Sequence, residues 1–202
     1  LASSVILLEN CKKKDKEYED IYINACDSLS FNDEEINLIM AGDSSDLMEV
    51  LTIHTITGTD TITNYDDSLK LRTPSKNVIP DTTDEVLLRL IDRMYTTVRD
   101  PENPGVGIAA PQVGINRNVI WVQRMDKPGD PFEVYLNPKI ISITHDTIVY
   151  NYDGCLSIPG LSGRTDRHAA ICIEYDLIDG THHTEVVRGY SYSNFTAVVF
   201  QH

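Results

Sequence analysis

Residues Thr83–Gln123, TDEVLLRLIDRMYTTVRDPENPGVGIAAPQVGINRNVIWVQ, change their apolar period halfway, and the fold turns on that change. Val86, Leu87, Leu90, Ile91, Met94, Tyr95 and Val98 recur at helical spacing, which predicts an amphipathic helix over about 83–99 with one buried face. Thr82 with Glu85 forms a capping-box pattern, Asp84 complements the helix dipole, and Pro101 and Pro104 end the helix. GVGIAAPQVG, Gly105–Gly114, follows with little side-chain bulk. Glycines at 105 and 107 let main chain approach another chain or a ligand closely, and Gln112 can supply directional hydrogen bonds. A tight turn leading into a packed Ala-Ala segment fits the same residues equally well.

Beyond Asn118 the runs NVIWVQ, EVYLN, KIISIT, TIVYNY, AAICIEYD and HTEVVRG are β-branched or aromatic, with Asn, Asp, Gly and Pro between them. DLIDGTHH reads as a hairpin turning at Asp179-Gly180. The closing SNFTAVVFQH reads as a helix capped by Ser193 or Asn194, with Phe195, Val198 and Val199 on its apolar side. One long helix, many short antiparallel strands and a late helix predict an α+β fold.

The chain has 202 residues and a net charge of −14. Residues 1–70 hold 5 Lys and Arg against 15 Asp and Glu, so most of the acid surplus sits in the N-terminal third. No basic footprint for nucleic acid is present. We read residues 1–68 as an acidic extension on a main domain of 69–202. Within the extension SFNDEEINLIMAG predicts a short helix starting at Ser30, and EVLTIHTITG is β-prone. Cysteines at 11, 26, 155 and 172 are too few and scattered for a disulfide framework, and no apolar run reaches the ~18–20 residues that span a bilayer. LASSVILLENCKKKD has the order of a bacterial lipoprotein signal, with Cys11 as the acylated residue, although Glu9 and Asn10 depart from the small residues expected before it. An ordinary N-terminus with an unremarkable cysteine is the other reading.

Cys155, in YDGCLSIPG, is either a buried apolar thiol or, as a thiolate, a nucleophile or soft metal ligand. His202 at the end of VFQH says little alone. In order, however, GVGIAAPQVG, DGCLS and VFQH resemble the three motifs of the peptide deformylase family, GxGxAAxQ, EGCLS and HExxH. The resemblance covers about residues 69–202, including LKLRTPSKNV and SIPGL. It implies antiparallel sheets packed around a late metal-binding helix, with one amphipathic helix N-terminal to them. Cys155 and His202 are then ligands of a divalent metal, iron in native enzymes of the family and zinc or nickel in many preparations. Gln112 and the Leu156 N–H correspond to donors for the oxyanion. Main chain at Gly105, Val106 and Gly107 corresponds to the edge that takes an N-formylated peptide, and Val198 to the methionine pocket. The location implied is cytoplasmic.

Two features depart from the family pattern. Asp153 stands where the family has glutamate, with one methylene less to reach Arg167. The glutamate and second histidine of HExxH have no counterpart in the sequence, which breaks off inside an apolar helix. A truncated chain or a degenerate relative accounts for that. His182 and His183 fall on opposite faces of a strand, and His54, His145 and His168 show no ligand spacing. The expected function is removal of the N-formyl group from N-terminal formylmethionine, with release of formate. The alternatives are a non-catalytic peptide-binding protein on the same fold, exported and lipid-anchored through Cys11, and an N-acyl hydrolase of other acyl preference.

Overall fold

The long helix begins at Asp84 rather than Thr82, because Asp81 Oδ1 takes both the N–H and the hydroxyl of Thr83 and closes a turn before it. In the computed structural model, which describes residues 29–57, 60–189, 191 and 193–202, this helix is α3, Glu85–Val98. Asp84 Oδ1 accepts from Val86 N at 2.9 Å and Leu87 N at 3.1 Å, satisfying two donors of the first turn. Leu87, Leu90, Ile91, Met94 and Val98 are buried as the periodicity requires.

The chain divides at Phe31/Asn32, and the architecture lies in Asn32–His202. Helix α1, Asp33–Met40, starts at Asn32, two residues later than Ser30. Asn32 and Glu35 close a reciprocal capping box, each side chain bonding the other's backbone N–H at 2.9 Å. The last carbonyls of α1 have no helical partner, and buried Arg93 of α3 supplies one, donating to Leu38 O at 3.0 Å and Ile39 O at 2.9 Å. The short helix α2, Tyr65–Arg72, has no buried residue.

A five-stranded antiparallel sheet follows in the order β3-β4-β5-β8-β9: Gly107–Ala109, Val119–Gln123, Phe132–Ile143, Ala170–Asp176 and His182–Arg188. EVYLN and KIISIT are one strand, β5, bent at Asn137 with φ 52°. The Asn137 side chain holds that bend by bonding both main-chain groups of Val78 and the Asp176 carboxylate. The β8–β9 turn sits at Asp179-Gly180, where Gly180 takes φ 82°. Strands β6, Thr147–Cys155, and β7, Ile158–His168, form a separate ribbon; β1, His54–Thr57, and β2, Asp60–Thr63, form a hairpin. Helix α4, Thr196–Gln201, contacts β4, β7 and β9 and buries Ala197 among Val122, Tyr135, Ile171, Ile173 and Val187. The architecture is α+β, with α4 between sheet and ribbon.

Cys11 and Cys26 lie outside the described residues, and with Cys11 the lipid-anchor expectation. Among the described residues no helix is long and apolar enough to cross a membrane.

Glu35 makes a second, buried contact: its carboxylate receives Arg117 Nε at 2.9 Å and Nη2 at 2.6 Å. Burial alone would raise the Glu35 pKa, but the Arg117 and Asn32 hydrogen bonds outweigh it and hold the group below 4.5. The stabilisation is therefore complete above the ordinary carboxylate pKa and disappears as pH falls through the lowered folded value. Glu35→Ala should cost about 3 kcal/mol in denaturant unfolding at pH 7, because it takes the carboxylate away from a buried guanidinium. Glu35→Gln should flatten the loss of thermal stability that wild type shows below pH 4.5.

Candidate active site

DGCLS folds as a tight hairpin: β6 ends at Cys155, Leu156-Ser157 make the turn, and Cys155 pairs with Ile158 of β7. Asp153, on β6, is nearly buried and reaches everything the longer glutamate would have to reach. Its Oδ2 accepts from Thr165 Oγ1 at 2.6 Å, from Arg167 Nε at 3.1 Å and from Arg167 Nη2. The β6–β7 register shifts between Tyr150 and Asp153. Its Oδ1 meets His202 Nδ1 at 2.7 Å. A carboxylate can only accept, so Nδ1 carries the proton and Nε2 of the neutral ring keeps its lone pair.

The end of α4 is tied to the same ribbon. Arg167 Nη1 donates to Gln201 O at 2.7 Å, and the Gln201 side chain bonds His168 N and O at 2.8 and 2.9 Å. His202 lies against Cys155, and each shifts the other's ionisation. Burial pushes the thiol pKa up, but the His202 contact and the Ser157 backbone N–H prevail and lower it. The Cys155 contact is the main cause raising the His202 pKa, against burial and with help from Asp153. The pair thus favours thiolate beside imidazolium.

Gln112 comes from the opposite wall. Residues Ala110–Val113 form a 3-10 turn that Pro111 starts and Gly114, at φ 81°, ends. Gln112 Oε1 accepts Ala109 N–H at 2.9 Å, which settles the amide orientation and leaves Nε2 as the donor facing the hairpin. Nε2 is 3.3 Å from Ser157 Oγ and 3.7 Å from Cys155 Sγ.

Strand β3 is the edge of the main sheet. Val106 O accepts Gln123 N–H at 2.8 Å, and Gly105 N donates to Val98 O at 2.8 Å, so these groups are engaged within the fold. Antiparallel alternation then turns the N–H and C=O of Gly107 away from β4, onto the open edge. A Cβ on Gly107 would lie 2.7 Å from Val199 Cγ1 and 3.1 Å from Trp121 O, so glycine lets α4 close over β3.

One groove of about 590 Å³ is lined by all the residues singled out in the sequence: Gly105, Val106, Gly107, Gln112, Cys155, Leu156, Val198 and His202. Tyr150, Tyr152, Phe195 and Phe200 add apolar wall, and buried Val198 lies on the α4 side. Ser157, Thr165 and Gln201, which make the supporting contacts, leave no signal in the sequence, because a hydroxyl in a turn or an amide beside a histidine carries no spacing of its own. The other histidines have separate duties. His168 Nδ1 bonds Thr144 O at 2.8 Å, His182 Nδ1 bonds Asp176 Oδ1 at 2.8 Å, and His183 stacks on Tyr175. Among the described residues no cluster of three His, Cys, Asp or Glu is assembled as a metal site. Cys155 Sγ and His202 Nε2 are the donors that could contribute to one.

A lowered-pKa cysteine, a carboxylate-oriented imidazole and an amide donor are thus gathered beside the edge strand of the main sheet. The polypeptide deformylase family model matches residues 59–202. A peptide deformylase-like protein of Brucella melitensis is 35% identical over 141 residues, covering 70% of this chain and 78% of its own length. A peptide deformylase of Pseudomonas aeruginosa is 33% identical over 133 residues, 66% of this chain and 73% of that one. In structure, peptide deformylase from Thermotoga maritima superposes with TM-score 0.61 at 29% identity, covering 78% of this chain and 88% of its own. The class I type b enzyme of Acinetobacter baumannii, bound to Met-Ala-Ser, gives TM-score 0.60 at 27% identity, covering 78% and 91%. The chain belongs to the peptide deformylase family and is an enzyme of the deformylase type. That family is generally metal-dependent.

Because Val199 is β-branched and Trp121 O is backbone, neither yields readily to a Cβ at Gly107. Gly107→Ala should destabilise by about 1–3 kcal/mol. Gly105→Ala, whose Cβ would meet Leu156 Cδ1 at 3.1 Å, Val98 Cγ2 at 3.2 Å and Gly107 O at 3.4 Å, all farther than the nearest contact at Gly107, should cost less when both are compared by denaturant unfolding.

Proposed function

We propose that the protein removes the N-formyl group from the N-terminal formylmethionine of peptides and releases formate. The observation that carries this reading is the convergence of Cys155, His202 and the Gln112 amide in one groove beside the open edge of β3. Cys155 Sγ and His202 Nε2 would hold a divalent cation, and the Asp153–His202 bond orients the imidazole as ligand-supporting carboxylates do. A mixed sulfur and nitrogen set suits iron, zinc or nickel and disfavours magnesium or calcium. When bound, such a cation supplies the acidity that makes water a nucleophile near neutral pH.

The chain's own residues do the rest. The peptide lies along Gly105–Gly107 as an added strand, with the outward N–H and C=O of Gly107 its nearest main-chain partners. Its methionine side chain enters the apolar wall at Val198. Gln112 Nε2 and the Leu156 N–H donate to the formyl oxygen as its charge grows, which stabilises the transition state more than the substrate. The Acinetobacter baumannii enzyme is bound to Met-Ala-Ser, a peptide that begins with methionine as the proposed substrate does. We place the activity in the cytoplasm, where formylated chains emerge; diacylglycerol on mature Cys11 would move it to a membrane instead.

Formate release from formyl-Met-Ala-Ser by protein loaded in turn with Fe(II), Zn(II) and Ni(II) tests the reading. Gln112→Ala should lower kcat about 100-fold, about 3 kcal/mol, with bound metal unchanged. Cys155→Ala should lose the metal, and stoichiometric metal retained in that variant would overturn the ligand assignment. Formyl-peptide that binds without turnover would mark a binding protein on this fold.

A further inference from the structure

Residues 51–54 lie upstream of the family match, which begins at residue 59, yet they join both walls of the groove. Leu51 N–H donates to Gln112 O at 2.8 Å, and Ile53 N–H donates to Ser157 O at 3.0 Å. In an extended segment alternate N–H groups share a side, so two residues of one strap clamp the 3-10 turn and the Cys155 hairpin at a set separation. His54, buried, adds a third point: its Nε2 donates to Pro159 O at 3.2 Å.

The reverse side of the strap is anchored by Asn64 and α2. Asn64 Nδ2 donates to Thr52 O and Thr52 Oγ1, both at 2.9 Å, and its backbone N–H donates to Ile53 O at 3.0 Å. Asp67 Oδ2 receives Thr52 N–H at 3.1 Å. Every polar main-chain group facing backward from Thr52 and Ile53 is thereby met, so the strap is held rigid by a small polar network.

We propose that Leu51–His54 is a positioning strap that sets the distance between the Gln112 amide and the Cys155 turn, with Asn64 as its anchor. The N-terminal extension then has a task in the active site. The proposal rests on the reading of Gln112 as an oxyanion donor. A donor that drifts by a few tenths of an ångström loses transition-state contact while substrate binding along β3 persists.

Two variants test it in the full chain. Asn64→Ala removes the anchor's side-chain bonds, and Ile53→Pro deletes the N–H given to Ser157. In either, kcat should fall about tenfold with KM within about twofold. In metal-free protein, amide exchange at Leu51 should quicken at least about tenfold, and alkylation of Cys155 should change at least about threefold. Faster exchange at Leu51 with unchanged kcat and unchanged Cys155 alkylation would overturn the proposal. So would unchanged exchange in both variants, or a kcat loss accompanied by faster exchange throughout β4, β5 and β8, the mark of general loosening. If wild type releases no formate, the proposed function fails, and the exchange and alkylation results still decide whether the strap positions the turn.

Discussion

The Asp153 carboxylate is the contact on which the site depends. One oxygen holds Thr165 and Arg167 on β7, and the other holds His202 at the end of α4. The helix is fixed by what it packs on and by what grips Gln201 and His202. Arg167 grips it twice, through Asp153 and through Gln201 O. Burial acts against the Asp153 charge, but the Thr165, Arg167 and His202 bonds prevail and keep its pKa low. Ribbon and helix are therefore joined by a charged group whose oxygens are both occupied.

The site was more legible in the sequence than the scaffold around it. Gly107 announces itself because only glycine fits under Val199, and Gln112 because a lone amide among apolar residues needs a partner. Long amphipathic α3 was legible for the same reason: burial on one face forces a period. β7 was not. Its run IPGLSGRTDRH pairs only with β6 and is exposed or half-exposed along its length, so no alternation of apolar residues is required of it. Helix α2 buries no residue and left no stripe to read. The bend in β5 depends on one side chain, Asn137, reaching a loop 59 residues earlier, and no local pattern records such a bond.

The strap extends that contrast. Leu51 and Ile53 act through backbone N–H groups, which any residue but proline provides, so their identities say nothing about the contact. Only the anchor is chemically particular. Asn64 offers a planar amide whose donor meets Thr52 while its own backbone caps Ile53 O, and a carboxylate there would face Thr52 O with no proton to give. Within the β-prone run EVLTIHTITG, the apolar residues mark a strand, and the polar residue that anchors it, Asn64, lies twelve residues beyond Thr52.

Strand β4, which supports the peptide edge, is bracketed by buried arginines. Arg117, two residues before it, meets Glu35 of α1; Arg124, one residue after it, meets Asp126, Glu185 and Tyr135 at 2.5–2.7 Å. Both side chains are 2% exposed or less. Buried ion pairs add little net stability, because desolvation cancels most of the attraction, but leaving one partner unpaired costs several kcal/mol. That asymmetry selects a register. Sliding β4 by one residue against β5 would pull Arg117 off Glu35 and Arg124 off Glu185, and would turn buried Val119 and Val122 each to the opposite face. β3 takes its register from β4, and the outward-facing Gly107 takes its orientation from β3. Two charges that contribute little to folding energy therefore determine which main-chain groups the groove presents to a peptide.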